Sequence, residues 1–298
     1  MVTQAREAGY RLLGSRLDYL LHLRPAEWPI MAAHTVLGYL LAVGLTGAGR
    51  GIWLGDAALG VFLWVVCLNG GTLALNSAFD RDEGDIAYLK RPPPAPRHLA
   101  VFSLGLMTAG QLLALALPAQ FAAVYAVCFV LSILYSVPPF RLKSVAGADW
   151  LINMWGFGTL TPYAGWATTG LPLDGTRALV LLGFCPLFAA LYPLTQLYQL
   201  EEDSRRGDRT FALVLGPRRS LDVAIAAVLL AFTLFLAAAS RAPWDLVLLG
   251  GALLTWLAVL IPWRRSWKGM TSRRHQRGMY LALAAWAVTD LVVLLVWG

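Results

Sequence analysis

The sequence predicts an all-α protein: a multi-pass membrane helical bundle of nine transmembrane helices, with the N-terminus inside and the C-terminus outside. Three observations carry this expectation. Of 298 residues, 58% are hydrophobic and only 14% charged, too apolar for a soluble protein of this size. The apolar residues come in long runs, such as Ile52 to Leu68 and Ser220 to Ser240, with almost no charge inside them. About 20 such residues cross the hydrocarbon layer as a helix, whereas a barrel needs short alternating segments. Finally, the basic residues crowd into alternate loops, as helical topology requires.

Taken in order, residues 3–24 place Arg6, Arg11, Arg16 and Arg24 among Leu and Tyr, the pattern of an amphipathic helix lying on the membrane rather than of a secretion signal. The chain therefore reads as one domain, 1–298, with 1–25 as an amphipathic N-terminal segment. The first two spans are expected at 26–47 and 52–74. The third and fourth, 99–117 and 120–138, are separated by a very short turn at Pro118. Pro138 and Pro139 end the fourth. The remaining spans are expected at 149–168, 178–198, 219–239, 243–263 and 278–297. This division puts 21 of the 24 Lys and Arg on the inner side and only Arg50, Arg177 and Arg241 on the outer.

The net charge of +7 sits in these short loops, so no nucleic-acid partner is expected. Cys67, Cys128 and Cys185 lie inside apolar runs, at no metal-ligand spacing and in no disulfide framework. Asp290, deep in the ninth span, needs a buried partner. His34, Asn69 and Asn153 are expected to hydrogen-bond between packed helices.

The acidic residues gather in two inner segments. One is NSAFDRDEGD, Asn76 to Asp85, and the other is YQLEEDSRRGDRT, Tyr198 to Thr210. Asp80 and Asp203 each end an even-numbered span, which suggests two related halves of four spans with a ninth added. At 100° per residue, Asn76, Asp80 and Glu83 share one helical face, and Gln196, Gln199, Glu202 and Asp203 share another. Asp82 and Glu201 point away, while Gly84 can end the helix and swing Asp85 back. Carboxylates and amides so grouped suit Mg²⁺ with a diphosphate, because Mg²⁺ takes hard oxygen ligands and leaves part of its shell to phosphates and water. The plainer alternative is a pair of solvated charge clusters matched by Arg81, Arg205 and Arg206. Between them lies LYSVPPFRLKS, Leu134 to Ser144, where Arg141 and Lys143 project from a short, stiff loop. These cations either neutralise diphosphate oxygens or serve only as topology signals.

At these three segments the chain resembles the UbiA superfamily of intramembrane prenyltransferases. The family's first motif, Asn-x-x-x-Asp-x-x-x-Asp, is matched by Asn76 and Asp80. Its third position falls on Gly84, leaving Glu83 or Asp85 to substitute. In the second, Asp-x-x-x-Asp, Asp203 matches and Gln199 stands at the first position. Glu202, one turn away, can supply the missing charge. Tyr135-Ser136-x-Pro138-Pro139-x-Arg141-Leu142-Lys143, the stretch Gly207 to Thr210, the pair Leu215–Gly216 and Arg24-Pro25 also fit. Lys90, Arg91 and the following PPPAP replace the usual loop after the first motif.

The resemblance implies a cell-membrane enzyme with its site at the cytoplasmic helix ends. Mg²⁺ would be held by Asn76, Asp80, Glu83, Asp85, Gln199, Glu202 and Asp203. Asp80, Asp203, Arg141 and Lys143 would be catalytic. Arg24, Asn76, Lys90, Tyr135, Tyr198 and Gln199 would touch substrate, and Phe79 and Trp155 join the tyrosines as candidates to face a carbocation. The partners implied are an isoprenoid diphosphate donor, a lipophilic acceptor and membrane lipid. Two rival readings are a terpene cyclase of the same superfamily and a transporter or lipid-binding protein without chemistry.

Overall fold

The computed structural model describes residues 2–47, 53–80, 86, 89–240 and 242–298, with the backbone alone at 2, 3, 5, 53, 202 and 206. Among the described residues every regular element is helical, and two isolated bridges, Ile86–Leu89 and Val145–Arg209, form no sheet. Two N-terminal helices, α1 (Val2–Leu13) and α2 (Arg16–His22), precede α3 (Trp28–Val43). Helix α4 is a continuous run of Trp53–Phe62, a π-helical Leu63–Gly70 and Gly71–Asp80. Helices α5 (Leu99–Ala114) and α6 (Ala119–Ser136) follow. Helix α7 is again composite: Ala148–Asn153, a π-helical Met154–Leu160 and Thr161–Ala167. The chain ends with α8 (Gly175–Gln196), the short α9 (Leu200–Arg206), α10 (Phe211–Ala238), α11 (Pro243–Ser266) and α12 (Ser272–Trp297).

Six of these runs are long and apolar enough to cross a membrane: Leu54–Asp80 within α4, and α6, α8, α10, α11 and α12. Helices α3 and α5 are apolar but shorter. Each expected span overlaps a helix, and one local reading needs correction. Helix α10 begins at Phe211 but is broken at Gly216 (φ 73°, ψ 166°), just ahead of Pro217, so the part after the break is the seventh span expected at 219–239. Proline lacks the amide hydrogen that would continue the helix, and glycine alone takes the left-handed φ without strain. The helix carrying Gln196 was extended through Asp203, whereas it stops at Gln196 and restarts after Gln199 (φ −110°) as α9. That break changes which residues share a face.

Prolines also free carbonyls that other helices use. Pro193 cannot donate to the Ala189 carbonyl, which accepts Trp150 Nε1 of α7 at 2.8 Å. Pro162 likewise cannot serve the Gly158 carbonyl, which accepts His34 Nε2 at 3.3 Å.

One apolar cluster joins α8 to α10, α11 and α12 around Phe184, Phe232, Phe235 and Trp256, and a second joins α4, α5 and α6 around Trp64, Phe121 and Tyr125. Helix α3 crosses α7 with backbones touching. A Cβ on Gly38 would lie 1.6 Å from the Pro162 carbonyl oxygen, and one on Gly165 would lie 1.8 Å from that of Thr35. Small residues at such crossings let membrane helices gain contact that larger side chains would prevent.

Candidate active site

A cavity of about 340 Å³ opens among α3, α4, α6, α7, α8 and α12 and changes character with depth. Helix α4 lines it with Leu68, Asn69, Thr72, Leu73, Asn76 and Asp80, one face at helical spacing. Helix α3 and the turn before it contribute Glu27, Ile30, Met31 and His34.

At one pole, four acidic or amide groups meet two cations. Lys143 Nζ donates to Asn76 Oδ1 at 2.8 Å and pairs with Asp80. Arg141 reaches Asp80 Oδ1 at 3.2 Å through Nη2 and Asp208 Oδ1 at 2.8 Å through Nη1. Arg141 takes a left-handed backbone (φ 36°) at the exit of the loop that follows Pro138 and Pro139, which turns its side chain back over the carboxylates. Asp203 is buried and accepts Thr210 Oγ1 at 3.2 Å. Gly207 (φ 73°) makes the turn after α9, and the Asp208 N–H returns to the Asp203 carbonyl at 3.1 Å, so both side chains line the cavity. The Arg209 N–H donates to the Ser144 carbonyl at 3.3 Å, fastening the 141–145 loop to the 207–210 turn. Segments 61 to 67 residues apart are thus tied at one place by charge-assisted bonds.

Deeper, the Tyr135 and Tyr192 hydroxyls lie 3.0 Å apart. Asp149 is fully buried and accepts Gln196 Nε2 at 3.0 Å and the Phe211 N–H at 2.9 Å through one oxygen, and the Gly147 N–H at 2.9 Å through the other. Gln196 Oε1 in turn accepts the Ala212 N–H at 3.0 Å. Asp149 therefore fixes the end of α8 and the start of α10, and with them the segment carrying Asp203 and Asp208. The floor is apolar, with Trp64, Phe157, Phe188, Leu283 and Trp286 around His34. His34 Nδ1 pairs with Asp290 at 3.2 Å, which is the buried partner Asp290 needs.

Of the residues singled out from the sequence, Arg24, Asn76, Asp80, Tyr135, Lys143, Gln199 and Asp203 line this cavity. Arg141 stands behind the wall and bridges two of its carboxylates. Lys90 is exposed, its carbonyl accepting Arg6 Nη1 at 3.4 Å, and Tyr198 packs against the α8–α12 apolar cluster, so neither is on the wall. Phe79 packs with the α4–α6 cluster and Trp155 is 41% exposed; Tyr192, Phe157 and Phe188 hold the aromatic positions instead. Glu83 and Asp85 lie outside the described residues, as does the Glu202 side chain. His34, Asn69 and Asn153, read as helix-packing groups, all reach the cavity. Glu27, Asp149 and Asp208 were not singled out. Asp208 sits inside the quoted Gly207 to Thr210 stretch, whereas nothing local marks Glu27 or Asp149.

The sequence profile described as the UbiA prenyltransferase family matches residues 32–288, most of the chain. The chain belongs to the UbiA prenyltransferase family. It is a prenyltransferase, and the transporter reading falls with that. A digeranylgeranylglyceryl phosphate synthase of Natronomonas pharaonis is 29% identical over 244 residues, 80% of this chain and 81% of its own. Among solved structures, a UbiA homologue from Archaeoglobus fulgidus bound to DMAPP and Mg²⁺ superposes with a TM-score of 0.70 at 18% identity, covering 91% of this chain and 98% of its own. The same homologue bound to GPP and Mg²⁺ gives 0.67 at 19% identity, covering 91% and 99%. These likenesses establish the fold as a helical membrane bundle.

Proposed function

We propose that this enzyme transfers a prenyl group, with Mg²⁺, from an isoprenoid diphosphate to a lipophilic acceptor inside the membrane. The observation that carries the reading is the pole: Asn76, Asp80, Asp203 and Asp208 meet Arg141 and Lys143 at one end of a cavity whose floor is apolar. The Archaeoglobus relative, bound to DMAPP or GPP with Mg²⁺, supports it.

The donor set fits the metal. Among the described residues no three His, Cys, Asp or Glu side chains stand close enough to hold an ion by themselves. The available groups are oxygen donors, two carboxylates or amides on one side and three on the other, which suits an ion that draws its remaining ligands from diphosphate and water. Asp80 with Asn76, and Asp203 with Asp208 and Gln199, would hold it; Glu83, Asp85 and Glu202 remain further ligands by the sequence reading. Bound there, Mg²⁺ supplies Lewis-acid neutralisation of the diphosphate. Arg141 and Lys143 stabilise the departing pyrophosphate, exchanging part of their hold on Asp80 and Asp208 for phosphate oxygens. Arg24, buried with Nη2 donating to Ser77 Oγ at 3.3 Å, extends the cationic lining. The aromatic wall excludes water from the allylic cation and presents π faces to it, and the apolar floor accommodates the isoprenoid tail.

The topology belongs to the same reading. On this reading the chain crosses the membrane nine times with the N-terminus inside and the pole on the cytoplasmic side, and 1–298 is one prenyltransferase unit with 1–25 on the membrane surface; the overlap of each expected span with a described helix supports it. The test is purified protein with Mg²⁺, prenyl diphosphates of several lengths and a panel of acceptors, products read by mass spectrometry. Prenylated acceptor is expected. Product formed equally without acceptor would instead establish a cyclase.

A further inference from the structure

Among the described residues four carboxylates line the cavity: Glu27, Asp80, Asp203 and Asp208. Three belong to the pole and are bonded there, Asp80 and Asp208 to Arg141 and Asp203 to Thr210. Glu27 stands apart. Its N–H donates to the Arg24 carbonyl at 2.9 Å in the turn that enters α3, and its side chain is buried beside Arg24 and Asn69. Asn69 is 5% exposed, and its Nδ2, close to Glu27, makes no hydrogen bond of acceptable geometry. Asn69 precedes Asn76 by seven residues on α4, so this group lies roughly 10 Å below the pole. That is the side on which the allylic carbon and its nucleophile meet when a diphosphate occupies the pole.

The other polar groups at this depth are already engaged. His34 uses both ring nitrogens, the Tyr135 and Tyr192 hydroxyls face each other, and Asp149 is saturated. A buried carboxylate and a buried amide that face a cavity favour a ligand with both a donor and an acceptor, which a hydroxyl group is.

We propose that Glu27 is the acceptor-side carboxylate: it hydrogen-bonds the hydroxyl of the lipophilic acceptor and takes its proton. The inference rests on the prenyl-transfer reading above. In the step, the C1–O bond of the donor breaks with its electron pair leaving on pyrophosphate. The hydroxyl oxygen forms the new bond to C1, and its proton passes to Glu27. Asn69 holds the hydroxyl oxygen in line.

The experiment uses the full chain with Mg²⁺, geranyl diphosphate and two acceptors bearing a free hydroxyl, p-cresol and a long-chain alkylglycerol, each against its O-methyl ether. The expected result is transfer to the free hydroxyl only. Glu27→Gln is expected to lower kcat about 10²–10⁴-fold, the usual range for loss of a general base, with the KM for donor unchanged; Glu27→Asp is expected to restore part of it. The unchanged donor KM and the rescue by Asp separate this outcome from misfolding. Transfer to the methyl ethers at equal rate, or full turnover in Glu27→Gln, overturns the inference while leaving prenyl transfer intact. Donor cleavage with no prenylated product from any acceptor overturns both.

Discussion

Arg141 shows why the pole depends on individual side chains. Its two terminal nitrogens hold Asp80 and Asp208, which come from different helix ends, and a lysine has no planar fork with which to do this. Arg141→Lys is therefore expected to raise the Mg²⁺ concentration needed for half-maximal rate and lower activity about 10–100-fold, the range for groups that orient metal ligands. A Mg²⁺ titration reads both. Asp80→Ala and Asp203→Ala are expected to lose at least about 10²-fold, comparable to removing one preorganised electrostatic group, and Asn76→Ala nearly as much. Asp208→Asn, which breaks the bridge to Arg141, is expected to resemble Arg141→Lys. Glu201, exposed on the outer side of α9, serves as the control, and Glu201→Ala is expected to retain wild-type rate. A rate unaffected by EDTA would refute the metal reading. Asn76, Asp80 and Asp203 were legible because their residue types recur at helical spacing next to apolar runs, and Lys143 because it follows Arg141 in a short loop behind two prolines. Asp149 and Glu27 were not, since a single acidic residue flanked by Ala and Trp carries no spacing signal; only tertiary packing sets Glu27 on the cavity wall and Asp149 against Gln196 and the Phe211 N–H.

At the scale of the helix, apolar run length located the elements, and proline and glycine marked only some of their interruptions. The break at 197–199 escaped a reading that assumed regular 100° steps, because no glycine or proline stands at it, whereas the break at Gly216 coincides with a left-handed glycine ahead of Pro217. The break at 197–199 has a chemical consequence. It separates Gln196, committed to Asp149 and the Ala212 N–H, from Gln199 on the cavity wall, so the two glutamines have different tasks. Two substitutions test the element geometry. Gly38→Val sets a branched side chain against the Pro162 carbonyl, where even a Cβ has no room. It is expected to cost at least the about 1–3 kcal/mol typical of overpacking and to lower Tm and the yield of monodisperse protein. Gly216→Ala has open space around it but keeps the left-handed φ, so its cost is expected at about 1–2 kcal/mol, from strain alone. Thermal unfolding in one detergent ranks them, and a Gly38→Val protein as stable as wild type would show that α3 and α7 do not cross this closely.

The whole molecule has two unlike ends, and this bears on how it sits in the membrane. The segments after α4, α6 and α8 converge at the pole through Asp80, Lys143, Asp203 and Asp208. Thr176 and Arg177 meet Ala238, Ser240, Asp245, Trp297 and Gly298 in a separate shallow depression. By sequence, the first set of segments carries most of the Lys and Arg and the second very few, which is the asymmetry that retains loops on the cytoplasmic side. A donor diphosphate drawn from the cytoplasm would then reach the pole without crossing the bilayer. The orientation is tested by single cysteines at Thr176 and Arg274, the former exposed at the start of α8 and the latter in the first turn of α12. The native Cys67, Cys128 and Cys185 are free and buried, so their background with a membrane-impermeant maleimide is low. In intact cells, Thr176→Cys is expected to label readily and Arg274→Cys only after permeabilisation. The reverse pattern would place the pole, and with it the proposed donor site, on the outer face.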